Sequence, residues 1–104
     1  MEVRADVFGA ISAPTRRELL HMLAQREMPV LEIAESFEMT LSAVSQHLGV
    51  LRQAGLVVQR KDGRQRLYSL NPDPLKEVAE WLSYYERFWK DKLHDLGKFL
   101  EENP

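Results

Sequence analysis

SAVSQHLGVLRQAGLVVQRKDGRQRLYSL, residues 42–70, changes its periodicity half-way along. In the first half Val44, Leu48 and Leu51 recur at i, i+4 and i+7, the spacing of one face of an α-helix. Thr40 stands just ahead of this run as an N-cap whose hydroxyl accepts an orphan backbone N–H. Gly55 supplies the left-handed stop. In the second half two short β-prone runs flank Asp62-Gly63, a dipeptide that favours the tight hairpin turn with positive φ at both central residues. A helix with one narrow apolar stripe therefore leads straight into a β-hairpin.

The charge of this region sets it apart. The chain of 104 residues has a formal net charge of −2, yet residues 40–66 hold five Lys or Arg (Arg52, Arg60, Lys61, Arg64 and Arg66) against one acid, Asp62. Residues 1–39 carry four basic and seven acidic side chains, and residues 67–104 carry five and eight. Positive charge gathers on the helix–hairpin segment while the flanks are acidic.

Working outward, Val30, Ile33, Ala34 and Phe37 mark a helix of about two turns before Thr40, so residues 30–54 read as helix, tight turn, helix. Upstream, Leu19, Leu20 and Leu23 give a helix that Pro14 opens, at the position where a missing N–H costs nothing, and that ends near residues 24–26. Val3, Val7, Phe8 and Ile11 predict a first helix over residues 2–12. Downstream, Asp73 and Pro74 predict the N-cap and first residue of a helix that runs to about residue 101. Leu75, Val78, Leu82, Trp89, Leu93, Leu96 and Leu100 keep a heptad-like stripe along it. At 1.5 Å per residue it is about 40 Å long. Trp81, Tyr84, Tyr85, Phe88 and Trp89 add five of the nine aromatics on more than one face. So long and apolar a helix needs a second surface, most simply its copy in another subunit.

Composition narrows the function classes. A chain of this length has room for one domain, here residues 1–104. The apolar fraction of 44% and charged fraction of 29% are those of a soluble globular protein. There is no cysteine, hence no disulfide framework and no thiolate nucleophile or metal ligand. The N-terminus lacks the apolar core of a signal peptide, and no run approaches a membrane span. The expected setting is the cytoplasm, at the nucleoid. An enzyme is the weakest reading. The three histidines fall on separate elements, and neither a Gly-rich phosphate loop nor a paired-carboxylate motif is present.

A helix-turn-helix with a basic hairpin beside it has a physical use on double-stranded DNA. The second helix fits the major groove, where base edges are distinguishable. Cations on a protruding hairpin meet phosphates or the minor groove. The arrangement Ser-x-x-Ser-x-His-Leu-x-x-Leu-Arg-x-Ala-Gly-Leu-Val, followed by a basic hairpin with Gly-Arg and a Tyr-x-Leu ending, resembles the ArsR-type winged-helix repressors of bacteria over roughly residues 5–90. VFGAISAPTRRELLHML adds to the likeness.

The resemblance implies a mainly α fold of about five helices with a two-stranded wing, dimerising through first and last helices. It also implies a homodimeric repressor on a palindromic operator, with its own promoter as a candidate site. Metal-sensing members carry two cysteines at the start of the third helix. Those positions correspond to Pro29 and Leu31 here, so the thiolate sensor is absent, and no metal or cofactor is expected. Other members use His and carboxylate ligands on the last helix, which Asp91, His94 and Asp95 only suggest, since no second histidine follows, and His94 reads as an exposed helix residue rather than a ligand. Relatives often carry lysines where this chain has Gly49 and Val50.

The DNA-contact candidates are Thr40, Ser42, Ala43, Ser45, Gln46 and His47 at the start of the second motif helix, Arg52 near its end, and Arg60, Lys61, Arg64 and Arg66 on the hairpin. For His47, at the edge of the core stripe, packing and hydrogen bonding compete with a DNA contact. Arg16 and Arg17 open a helix, where their charge opposes the dipole. They either touch phosphate or pair with acids. The dimer candidates are Val3, Val7, Phe8, Ile11, Leu82, Tyr85, Trp89, Leu93 and Leu96. The rival reading is a winged helix used as a protein-interaction module through its aromatic last helix.

Overall fold

The computed structural model describes residues 6–102, with only the helical backbone for residues 93–95. The elements are α1 (Val7–Ala10), α2 (Pro14–Leu23), β1 (Met28–Pro29), α3 (Val30–Phe37), α4 (Leu41–Gln53), β2 (Val57–Asp62), β3 (Gln65–Leu70) and α5 (Leu75–Glu102). This is a mainly helical winged helix-turn-helix with a small antiparallel sheet.

The apolar stripes meet in one core. Leu19, Leu20 and Leu23 of α2, Ile33 and Ala34 of α3, and Val44, Leu48 and Leu51 of α4 are buried together. Leu56, Val57 and Tyr68 close it from the sheet. Truncating any of the large aliphatic members to Ala costs about 2–5 kcal/mol, because the cavity left behind only partly collapses.

The termini of α4 follow the expected chemistry. Thr40 Oγ1 accepts from Ala43 N at 3.1 Å. At the other end Gly55 has φ +78°. Its N–H donates to Arg52 O (2.9 Å) and that of Leu56 to Leu51 O (3.0 Å), a Schellman closure that also drops Leu56 into the core. The turn between α3 and α4 is made by Glu38 at φ +53°, a left-handed conformation that a side chain adopts at a cost.

Four expectations change. The first helix described begins at Val7, after the Asp6 cap, and ends at Ala10 rather than at residue 12, while residues 2–5, Val3 among them, lie outside the described residues. It stops because its last carbonyls are taken from outside. Arg16 Nε donates to Ala10 O (2.7 Å), Arg17 Nη1 to Ile11 O (2.7 Å), and Ser12 Oγ to Gly9 O (2.7 Å). Arg16 and Arg17 thus cap α1, where cations suit the helix C-terminus, and form no ion pair among the described residues.

Second, the sheet has three strands in the order β1-β3-β2, with Met28 opposite Tyr68 and Pro29 opposite Leu67. Pro29 is tolerated because β1 is an edge. Third, Asp62 pairs with Gln65, so the hairpin loop is Gly63-Arg64 and not Asp62-Gly63. Only Gly63 has positive φ there, +63°. A turn needing one left-handed residue at its first central position takes glycine without strain, whereas the expected turn would force a second residue there. Fourth, α5 begins at Leu75, after a tight run-in in which Leu75 N donates to Pro72 O (2.9 Å) and Lys76 N to Asp73 O (3.1 Å). Asn71 anchors this corner: its Nδ2 donates to Gly55 O at 2.8 Å and its N–H to Leu56 O at 2.8 Å.

Candidate nucleic-acid interface

The side of α4 away from its buried stripe is polar. Thr40, Ser42, Ser45 and Gln46 are exposed, Ala43 is half-buried, and His47 is half-buried at the stripe's edge. His47 makes no hydrogen bond among the described residues, so it packs without a polar partner. The first two turns therefore offer hydroxyl, amide and free backbone N–H groups to solvent beside an N-cap, a surface suited to base edges and phosphates.

The hairpin sorts its cations by strand alternation. In β2 and β3 the cross-strand pairs are Val57 with Leu70, Gln59 with Tyr68 and Lys61 with Arg66. Val57 and Tyr68 are buried, so Gln59, Lys61 and Arg66 share the face that continues outward from the core. Arg52 of α4 joins this side, its Nη1 donating to Gln59 Oε1 at 2.7 Å. Lys61 and Arg66 stand directly opposite each other, an arrangement that costs stability for like charges. Arg64 occupies the turn beyond them. Among the described residues no carboxylate pairs with Lys61, Arg64 or Arg66, and the tip presents three uncompensated cations.

Arg60 differs. It points to the opposite face and grips Glu27 with two bonds, Nε to Oε2 at 2.8 Å and Nη2 to Oε1 at 2.6 Å. The hydrogen bond from Arg60 holds the Glu27 carboxyl below its usual range. The expected DNA role of Arg60 thus meets a side chain already engaged in clasping the hairpin to the start of β1. A second clasp links Arg26 to Glu32.

The sequence matches the model of bacterial regulatory proteins of the arsR family over residues 13–58. It is 38% identical over 77 residues to the transcriptional repressor SdpR of Bacillus subtilis, covering 74% of this chain and 86% of that one. It is 32% identical over 102 residues to the HTH-type transcriptional regulator Rv0081 of Mycobacterium tuberculosis, covering 97% and 87%. The crystal structure of the ArsR family transcriptional regulator RHA00566 superposes with a TM-score of 0.70 at 31% identity, over 80% of this chain and 86% of that one. The crystal structure of Rv0081 gives 0.62 at 33% identity, over 83% and 88%.

The chain belongs to the ArsR family.

It is accordingly a DNA-binding transcriptional regulator and not an enzyme. In this ArsR-family chain Pro29 is half-buried on β1 and Leu31 is exposed on α3. None of the helices described is long and apolar enough to cross a membrane.

The other notable surface lies on α5 and α1. Trp81, Leu82, Tyr84, Tyr85, Phe88, Trp89, Leu96, Phe99 and Leu100 are all exposed, Phe99 by 58%. The aromatics stack in a row: Phe8 meets Trp81 edge-on at 5.9 Å, Trp81 meets Tyr85 at 5.1 Å, and Tyr85 meets Phe88 at 6.2 Å. Arg87 lies over the Tyr84 and Phe88 rings at 5.1 and 4.9 Å. Of the dimer candidates, Leu82, Tyr85, Trp89 and Leu96 are exposed on α5, and Phe8 and Ile11 are half-buried. Val7, at 3% exposure, packs in the chain's own core, just after the Asp6 cap of α1. Val3 and the Leu93 side chain lie outside the described residues.

Sequence reasoning missed Gln59 and Glu27. Alternation from buried Val57 marks Gln59 as facing α4, a signal present in the sequence. Glu27 lies 33 residues from Arg60, and no local pattern joins them.

Proposed function

We propose that the chain is a homodimeric repressor that occupies a two-fold operator, with its own promoter as the candidate site. The observation that carries this reading is the continuity of the polar outer side of α4 with the cations Arg52, Lys61, Arg64 and Arg66, which form no ion pair among the described residues. Thr40, Ser42, Ala43, Ser45 and Gln46 enter the major groove and read base edges, while the hairpin tip takes phosphates from the flank. Arg60 serves the Glu27 clasp in this reading. The whole chain acts as one domain with α5 as its dimerisation element. A second copy covers the apolar side of α5 through Leu82, Tyr85, Trp89, Leu93 and Leu96, with Phe8 and Ile11 of α1 at its margin. A surface of that size rimmed by charge calls for a partner, and Gly97 beside Leu96 and Leu100 leaves room for a crossing helix, since a Cβ there meets nothing within 4 Å. No metal acts as effector, and the protein works in the cytoplasm at the nucleoid.

A gel shift against the DNA upstream of its own gene, in competition with an unrelated duplex, tests the reading. Preferential retention of the upstream DNA is expected. Equal competition by the unrelated duplex would remove the operator, and binding of neither would remove the DNA site.

A further inference from the structure

Gly49 sits in the middle of α4, where glycine is less favourable than alanine. Neither backbone nor packing requires it. The positive-φ residues among those described are Glu38, Gly55 and Gly63, and a Cβ at Gly49 would meet nothing within 4 Å. The residue lies on the outward stripe with Ser42, Gln46 and Gln53, at i, i+4, i+7 and i+11, opposite the buried Val44, Leu48 and Leu51. A concavity of about 330 Å³ opens on this side, with Gly49, Arg52 and Gln53 in its wall. A glycine that the fold does not need, at the centre of the outward stripe, points to something outside the chain that comes close to the helix backbone.

The neighbours say what that is. Arg52 is exposed, and its one hydrogen bond among the described residues is the 2.7 Å contact with Gln59 Oε1. This fixes one edge of the guanidinium and leaves the remaining N–H groups free. Gln59 is half-buried on β2, so the hairpin strand aims a cation that belongs to the helix. Gln53 is exposed and adds an amide donor. An aimed cation, a neutral donor and a floor without a side chain suit a phosphate on a sugar–phosphate strand.

Resting on the reading of α4 as the DNA-facing helix, we propose that this notch is a phosphate seat. One DNA strand crosses α4 against Gly49, and a phosphate accepts from the free N–H groups of Arg52 and from the Gln53 amide. Gln59 is the positioning residue for Arg52. The first two turns read bases, and this third turn sets how deep and at what angle the helix lies.

The test compares variants with wild type by fluorescence anisotropy on the upstream DNA and on an unrelated duplex, across salt, beside thermal melts. Gly49→Ala should melt above wild type. Gly49→Leu should melt no lower than wild type yet bind both duplexes more weakly by the same factor, about tenfold or more for a lost charged hydrogen bond. Arg52→Gln should reduce the slope of log K against log salt by about 2 per dimer. Gln59→Leu should weaken binding when Arg52 is present and have no further effect in the Arg52→Gln background, a dependence that mere loss of fold would not show. Undiminished binding by Gly49→Leu, or a loss confined to one sequence, would overturn the phosphate seat while leaving wild-type DNA binding intact. Failure of the wild type to bind any DNA would remove both readings.

Discussion

The hairpin side and the α5 side of this protein are both exposed, but they are unfinished in different ways. On the hairpin side the fold beneath is complete. Val57 and Tyr68 are buried, Gln59 orients Arg52, and what remains open is charge: Lys61, Arg64 and Arg66, which pair with no carboxylate among the described residues. On the α5 side what remains open is apolar area. A 28-residue helix about 42 Å long buries little besides its first turns, where Leu75 and Val78 pack on the core. Uncompensated charge is tolerable in water and selects a charged partner through long-range attraction that salt weakens. Uncovered aromatic surface is costly in water and selects an apolar partner at contact range. The two sides therefore call for a polyanion and for an apolar partner, proposed above to be a second copy, and perturbing one should leave a different signature from perturbing the other.

The largest expected effect comes from breaking the apolar side. Trp89→Glu places a charge in the surface assigned to the second copy, and sedimentation at micromolar concentration should show a monomer. Loss of bivalent engagement should then lower operator affinity by a factor on the order of 10²–10⁴. A folded Trp89→Glu dimer would show that α5 is not the interface. Leu48→Ala reaches beneath the other side. It removes buried volume under α4 and should cost about 2–5 kcal/mol in denaturant unfolding, leaving the association constant of the folded fraction unchanged.

Next in size is Arg64→Ala. Removing one phosphate contact per subunit should reduce the slope of log K against log salt by about 2 without altering which bases are preferred. Glu27→Gln sharpens the contrast within the hairpin. It frees Arg60 from its clasp, yet Arg60 faces away from Lys61 and Arg66, so the salt slope should stay as it is. Its effect belongs to stability. Arg60 depresses the Glu27 carboxyl, so the clasp contributes above the ordinary carboxylate pKa and is lost as pH falls through the lowered one. The wild type should exceed Glu27→Gln in melting temperature near neutrality, and the gap should close in acid. The smallest effect is Glu38→Gly. Relief of the left-handed strain, set against glycine's greater unfolded freedom, should stabilise by about 0.5–1 kcal/mol in urea unfolding.

What was legible in the sequence follows the range of the forces involved. The stripe Val44, Leu48, Leu51, the Thr40 cap and the Gly55 stop are local, depending on residues within one or two turns, and each is found in place. The loop residues Gly63-Arg64 were displaced by one from the dipeptide, because register is set by pairing between strands and not by the turn alone. Strand β1 went unseen, since two residues ending in proline have no period to detect. Val7 and Phe8 fit the same helical spacing, and only the neighbouring elements decide that one faces the core and the other Trp81. Arg60 looked like any other basic residue until Glu27, 33 positions earlier, was brought beside it. Charge density was thus readable, and the partition of that charge between clasp and open surface was not.

The division of labour between helix and hairpin is tested most directly by hydroxyl-radical footprinting of wild type and Arg64→Ala on the upstream DNA. The account predicts two protected patches one helical turn apart, about 34–36 Å, flanked by weaker protection that Arg64→Ala removes while the two main patches persist. A single undivided patch, or flanks unchanged by Arg64→Ala, would contradict it.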